Sequence, residues 1–178
     1  MNKHFFNVDE ILDLDSKKLN TWFFETKGLN LYDLKVEDLV FHNGLPILTG
    51  NGVYVFKEDK KAIYVGSCVS RNFVERIPAH FDIRHNGWFN SLLVNLIKQE
   101  YKRNNKDDKT DENLIRVAKK AFKDLELILV NFPKYDKSAI KKLEDFFKIA
   151  LKPLNGFKHK TFQNAYININ EYIQYNKK

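Results

Sequence analysis

The sequence predicts a small domain of the α/β class, of the α+β type, in which a short three-stranded antiparallel sheet is flanked by helices. Three β-type runs support this prediction: residues 53–56 and 62–65, separated by a charged turn, and residues 125–132, which Pro133 ends. Apolar residues at helical spacing between and after these runs predict the flanking helices. With 178 residues, of which 43% are hydrophobic, the chain can build one core but not two independent ones.

The chain divides into three segments by its pattern. Residues 1–50 are expected to be a helical or irregular extension packed on the core, because their apolar residues recur at roughly helical spacing. The cluster Gly50-Asn51-Gly52 breaks this pattern, so the main domain is placed at residues 51–157. Residues 158–178 remain as a C-terminal tail, which contains one alternating run that suits a strand or the start of a helix.

The main domain opens with a hairpin made of the first two β-type runs. Four helices are predicted around it: one capped by Ser70, one from about Trp88, one opened by Asp111 and Glu112, and one from about Ser138 to Leu151. The third β-type run lies between the last two of these helices. This order of elements favours an α+β arrangement around a single small sheet.

Charge is distributed unevenly along the chain. The formal net charge is +7, and the first 50 residues hold five lysines and eight acidic residues, so 25 basic and 15 acidic residues fall in the rest. A basic body predicts a polyanionic partner, nucleic acid before membrane, while the alternative is a lysine-rich composition that reflects genome base composition. The lone cysteine, Cys68, excludes a disulfide framework, and the sequence shows neither a signal peptide nor an apolar span. The chain is therefore expected to be cytoplasmic and to bind no membrane.

An ordered series of short motifs runs through the main domain. It consists of Gly52-Val53-Tyr54, Tyr64-Val65-Gly66-Ser67, Arg76 and His80, Glu144, and Pro153-Leu154-Asn155. In order and spacing this series resembles the GIY-YIG nuclease superfamily, over about residues 52–156. Valine stands in both signature tripeptides where the family has isoleucine, a change that β-packing tolerates.

The resemblance implies a metal-dependent endonuclease that hydrolyses DNA phosphodiester bonds, of the restriction type or associated with a mobile element. It implies a catalytic site made of Tyr54, Tyr64, Arg76, His80, Glu144 and Asn155. In this site Tyr54 is the general base, Glu144 is the single protein ligand of Mg²⁺ or Mn²⁺, and Asn155 holds the phosphate or organises the site. With one site per chain, cleavage of both strands calls for a homodimer or for two successive cuts.

The residue types suit this chemistry. If the strand register puts Tyr54 and Tyr64 on one face, two phenols meet at one phosphate. An ordinary phenol, with a pKa of about 10, is a poor base at pH 7 unless a cation lowers that pKa, which Arg76 or the metal ion can do. His80 can receive the phenolic proton, and it lies four residues from Arg76 on the same helical face, although Pro78 between them can kink the helix.

Each assignment has a structural alternative. The two tyrosines would be core aromatics, Arg76 a surface cation, and His80 a helical histidine with a satisfied ring. Glu144 would form a solvated ion pair with Lys148, four residues on. Asn155 would be a turn former, and Ser67 is either a turn cap or a site hydrogen bond. The third predicted helix carries four basic residues: Arg116, Lys119, Lys120 and Lys123. In one interpretation they contact nucleic acid together with Arg76, and in the other they form a solvated face.

For the whole chain, the alternative to the nuclease is a catalytically silent nucleic-acid-binding module with the same fold. An RNA substrate has no recognised RNA-reading motif in its favour.

Overall fold

The computed structural model describes residues 4–134, 136–164 and 166–175. Over these residues the fold is mixed α/β, with six helices and a five-stranded mixed sheet. In chain order the elements are β1 (Phe5–Asn7), α1 (Ser16–Glu25), β2 (Leu29–Asn30), β3 (Phe41–His42), β4 (Leu45–Pro46), β5 (Gly52–Glu58), β6 (Lys61–Cys68), α2 (Phe73–Ala79), α3 (Ser91–Tyr101), α4 (Asp111–Asp124), β7 (Glu126–Asn131), α5 (Lys137–Leu151) and α6 (Ile169–Tyr175). Short 3-10 turns lie at Val8–Glu10, Val36–Leu39 and Lys106–Asp108. No helix in the described ranges has the length and apolar character needed to cross a bilayer.

The central sheet has the strand order β1-β7-β5-β6, with β2 also paired to β7. β5 pairs antiparallel with both β6 and β7, so the three predicted strands are present as an antiparallel unit. The predicted limit of three strands is wrong, because β1 pairs with β7 in parallel and β2 pairs antiparallel with the other end of β7. The extension of residues 1–50 therefore contributes strands as well as helix. Its strands are two or three residues long, too short to produce an alternating pattern in the sequence.

The sheet separates two hydrophobic clusters. On one face, α1, α5 and α6 pack on the odd-numbered residues of β5 and on Val65 of β6. On the other face, α2, α3 and α4 pack on even-numbered residues such as Tyr54, Phe56 and Tyr64. Side chains alternate along a strand, so the register decides which helices each strand residue meets.

Two predicted boundaries shift because of local capping and turns, and one open alternative is decided. Asn72 caps α2 in place of Ser70, since its side-chain oxygen accepts a hydrogen bond from the third residue of that helix. α3 begins at Ser91 and not near Trp88. In the C-terminal tail, α6 begins at Ile169, at the end of the alternating run.

Candidate functional site

Tyr54 and Tyr64 project from neighbouring strands into one cluster. The register pairs Tyr54 with Gly66 and Phe56 with Tyr64, so both phenols lie on the face that α2 covers. Their ring centroids are 6.4 Å apart and their planes differ by 15°. The condition that the two tyrosines share one face is therefore met.

The two motif glycines have steric reasons in this fold. A Cβ at Gly66 would overlap the hydroxyl oxygen and ring carbons of Tyr54, so only glycine lets this phenol lie across β6. Gly52 has φ of +151°, and a Cβ there would overlap the carbonyl oxygen of Val130 in β7. One glycine thus makes room for the phenol, and the other lets β5 approach β7.

His80 reaches the Tyr54 hydroxyl from the end of α2. Its Nε2 lies 2.5 Å from Tyr54 Oη, and both side chains are fully buried. Pro78 lies in the last turn of α2, which ends at Ala79. The proline therefore lies too near the end of α2 to break the helix before it, and the end of the helix still brings His80 to the tyrosine cluster.

Burial sets the protonation of this pair. Burial raises the pKa of Tyr54 far above its ordinary value, and Tyr64 raises it further, while the charge of Arg76 and its hydrogen bonding act in the opposite direction. Burial also lowers the pKa of His80 to about 3, with the Arg76 charge acting in the same direction. At neutral pH both groups are uncharged. One proton is therefore shared between Tyr54 Oη and His80 Nε2, while His80 Nδ1 is buried without a hydrogen-bond partner among the described residues.

Arg76 is the cation of this cluster. Its Nε is buried without a hydrogen-bond partner, and its guanidinium carbon lies 5.1 Å from the ring centroid of Phe89. Burial lowers the pKa of Arg76, but the phenols of Tyr54 and Tyr64 outweigh this effect, so the net pKa is raised and the side chain stays charged. The largest contributions that stabilise this charge come from Tyr54, Tyr64 and Cys68. A half-buried guanidinium with an unpaired Nε favours an anion, and its planar fork suits phosphate.

Glu144 lies on the opposite face of the sheet. Its Oε2 accepts a hydrogen bond of 2.6 Å from Ser67 Oγ, and the ammonium groups of Lys141 and Lys148 each lie 2.7 Å from a carboxylate oxygen. Burial raises the pKa of Glu144, yet the hydrogen bonds from these three donors outweigh burial and hold the pKa below its ordinary value. The ion pair with Lys148 is thus present, but it is largely buried and not solvated as the structural alternative predicts, and Ser67 makes a hydrogen bond to the carboxylate.

As arranged, the surroundings of Glu144 do not fit a divalent cation. Oε2 accepts two hydrogen bonds and Oε1 accepts one, which leaves one lone pair free. A cation at that position would be repelled by two adjacent ammonium groups. Metal binding would require one of these lysines to move away. Lys141 is the one placed to do so, because its side chain is 58% exposed and that of Lys148 is only 16% exposed. Among the described residues, no group of three or more His, Cys, Asp or Glu side chains is placed to hold a metal ion.

The two halves of the candidate site lie near the same end of β6. Cys68, the last residue of β6, is buried, and burial raises the pKa of its thiol to about 12. The charge of Arg76 lowers that pKa and the charge of Glu144 raises it, so both charges act on one thiol. The tyrosine cluster and the Glu144 cluster are therefore separated by the sheet but close to one another at its edge.

Asn155 holds the backbone of β6. Its Nδ2 donates to the carbonyl oxygen of Val65 at 2.7 Å, and its Oδ1 accepts from the amide of the same residue at 3.1 Å. β6 is the edge strand of the sheet, so this side chain occupies backbone groups that would otherwise be unpaired. Of the two roles implied for Asn155, the contacts support organising the site, because both ends of its amide are engaged.

The basic residues predicted on the third helix lie on α4 and are exposed: Arg116, Lys119, Lys120 and Lys123. Arg116 pairs with Glu100 at 2.5 Å, which compensates part of its charge. α4 packs in the same layer as α2 and α3. The exposed basic face thus belongs to the layer that carries Arg76 and His80.

Two contacts of the cluster were not predicted. Tyr64 Oη lies 2.9 Å from Ser91 Oγ, at the start of α3, and Phe89 lies against the guanidinium of Arg76. The serine at a helix start was a detectable signal, whereas nothing in the sequence pattern marks Phe89.

Comparisons of the chain with models of protein families, with curated proteins and with solved structures find no match.

Proposed function

We propose that the chain is a cytoplasmic nuclease that hydrolyses DNA phosphodiester bonds, with its reaction centre at Tyr54, His80 and Arg76. The observation that carries the proposal is the 2.5 Å contact between the buried Tyr54 Oη and His80 Nε2, beside an arginine whose Nε has no partner. The ordered motif series, which resembles the GIY-YIG nucleases, supports the same assignment. The geometry adds that the motif tyrosines, arginine and histidine meet in space.

In this mechanism Tyr54 and His80 relay a proton. Both are neutral at pH 7, so Tyr54 takes a proton from the attacking water while it passes its own to His80 Nε2, and no free phenolate forms in the buried site. The water oxygen forms the new bond to phosphorus, the bond from phosphorus to one sugar oxygen breaks, and the leaving sugar oxygen takes a proton from solvent. The negative phosphate offsets the positive charge that His80 acquires.

Arg76 binds the phosphate oxygens and stabilises the charge that builds up in the transition state. Arg76 is also the partly exposed member of the cluster, whereas Tyr54 and His80 are fully buried. Substrate and water therefore enter on the side that Arg76 covers, and its side chain moves to admit them.

The metal requirement is a separate part of the proposal. If a divalent cation takes part, Glu144 would be the residue to hold it once Lys141 had moved away, and the cation would supply charge stabilisation at the phosphate. The proton relay does not depend on it. Cleavage of both strands calls for a second copy of the chain or a second encounter.

The test is cleavage of supercoiled plasmid with Mg²⁺, with Mn²⁺ and with EDTA. We expect nicking by the native chain and a loss of about 100-fold or more in Tyr54→Phe and Arg76→Ala. Tyr32→Phe is the matched control, because Tyr32 is 82% exposed and should cleave as the native chain does. Equal cleavage by Tyr54→Phe and the native chain would refute the assignment of Tyr54.

A catalytically silent nucleic-acid-binding module is the second candidate. Two observations favour it: the Tyr54 hydroxyl is closed to solvent, and Glu144 is neutralised by two lysines. It predicts binding that falls steeply with salt, unchanged in Tyr54→Phe, with no cleavage of plasmid, single strands or branched DNA under any metal condition.

A further inference from the structure

A tryptophan lies at the surface beside the tyrosine cluster. Among the large apolar side chains that the structure describes, Trp88 is the most exposed, at 92%. The next residue, Phe89, lies under two arginines, with guanidinium carbons of Arg71 and Arg76 at 4.6 and 5.1 Å from its ring centroid. Trp88 therefore directly precedes, in the chain, the aromatic ring on which the proposed phosphate-binding arginine lies.

The loop that presents Trp88 is firmly held. Asn90 is 2% exposed, and its Nδ2 donates to the carbonyl oxygens of Asp82 and Arg84 at 2.9 and 3.0 Å. Lys109 Nζ donates to the carbonyl oxygen of Gly87 at 3.2 Å, and a Cβ at Gly87 would lie 2.7 Å from a carboxylate oxygen of Asp82. These contacts fix the residues on both sides of Trp88. The indole is thus exposed on a loop whose backbone is held by hydrogen bonds on either side of Trp88.

The surroundings favour a nucleic acid base as the occupant. A water-exposed indole exposes apolar surface that a bound ring would bury, and Arg71 and Arg76, which lie on the ring of the next residue, bring positive charge to this part of the surface. Aromatic side chains next to arginines are the usual way in which proteins bind unpaired bases, the ring stacking on the base while the cations contact the backbone. A second copy of the chain is disfavoured, because each copy carries a net charge of +7 and the rim of this patch is basic.

We propose that Trp88 stacks on an unpaired base of the DNA strand whose phosphate Arg76 binds, so that the substrate is single-stranded or locally opened DNA. This inference rests on the proposed function for the role of Arg76. In an intact duplex the base faces are already stacked, so Trp88 distinguishes opened from fully paired DNA.

Tryptophan fluorescence tests the inference directly. The chain has two tryptophans, so in Trp22→Phe the emission comes from Trp88 alone. The probe is a single-stranded oligothymidine of about 16 nucleotides, the upper end of the ~4–16 nucleotides that one single-strand-binding domain covers. In EDTA it should quench this emission, because stacking places a base against the indole. A duplex of the same length and an abasic strand with the same number of phosphates should quench it little.

Binding affinity gives a second measurement that keeps Trp22 in place. By fluorescence anisotropy of labelled DNA, Trp88→Ala should weaken binding to the single strand about 5- to 150-fold, the range for loss of one stacked base, and Trp88→Phe should retain most of the affinity. Binding to the duplex should not change. Arg71→Ala is the charge control, because it removes a cation beside Phe89 and keeps the indole, and it should weaken single-strand and duplex binding alike.

Several outcomes would overturn the inference: no quenching at saturation, equal weakening of both DNA forms by Trp88→Ala, or no binding to any probe. A dimer that Trp88→Ala converts to a monomer would assign the patch to a second copy. The nuclease proposal fails separately. Quenching without cleavage in Mg²⁺ or Mn²⁺ supports the stacking site and rejects the nuclease, whereas cleavage of duplex DNA without quenching does the reverse.

Discussion

The buried imidazole of His80 makes the stability of the protein sensitive to mild acid. Burial, and after it the Arg76 charge, lowers the pKa of His80 to about 3, from 6.5 for an ordinary histidine. Between these values the unfolded state binds a proton that the folded state does not. The free energy of unfolding therefore decreases as the pH falls through this window, by up to about 1.4 kcal/mol per pH unit.

The change from pH 7 to pH 5 can be worked out from these two values. At pH 7 most unfolded histidine is neutral, and at pH 5 nearly all of it is protonated, whereas His80 in the folded state stays neutral at both. The linkage relation then gives a loss of about 2 kcal/mol that is due to this one residue. Glu144 has a lowered pKa, so its own contribution is lost only as the pH falls below its ordinary value of 4.5.

The assay is urea unfolding followed by circular dichroism at pH 7, 6 and 5. His80→Gln keeps a hydrogen-bonding side chain near Tyr54 but does not titrate, so its free energy of unfolding should fall about 2 kcal/mol less than that of the native chain over this range. His159→Gln is the matched control, because His159 is exposed, and it should follow the native chain. The same pH dependence in His80→Gln and in the native chain would refute the burial argument.

The remaining predictions concern the clusters on either side of the sheet. Gly66→Ala places a Cβ against the Tyr54 phenol and should destabilise the protein by about 1–3 kcal/mol in urea unfolding, so an unchanged midpoint would contradict the packing. Lys141→Met frees one oxygen position of Glu144 and should tighten Mn²⁺ binding by about tenfold in calorimetric titration. A tenfold change corresponds to about 1.4 kcal/mol of relieved repulsion. Unchanged binding would show that this lysine does not compete with the metal. Asn155→Ala removes two hydrogen bonds to the β6 backbone and should cost about 1–3 kcal/mol, with faster hydrogen exchange in β6 than in β5. Uniformly unchanged exchange would contradict the clamp.

The sequence was informative where a local pattern reports on local structure. Short β-type runs predicted β5, β6 and β7, and the positions of Tyr54 and Tyr64 relative to the hairpin put both on one face once the register was known. The spacing of four residues between Glu144 and Lys148 likewise indicated an ion pair on one helix.

Other features depend on contacts between distant segments, which no local pattern records. β1 and β2 are strands because β7 offers them an edge, and their own residues carry no periodic signal. The face of the sheet on which α5 packs is equally a tertiary choice. It placed Glu144 with Ser67, away from the tyrosines, where the motif order had suggested a single cleft.

The parallel pairing of β1 with β7 has a consequence for how the chain folds. Phe5 pairs with Leu129, so about 120 residues separate the partners, whereas the β5–β6 hairpin closes over a short turn. Contacts between distant residues cost more loop-closure entropy and form more slowly than local ones. The hairpin is therefore expected to form early and the β1 edge late, and until β1 docks, β7 presents unpaired backbone groups to other chains in solution.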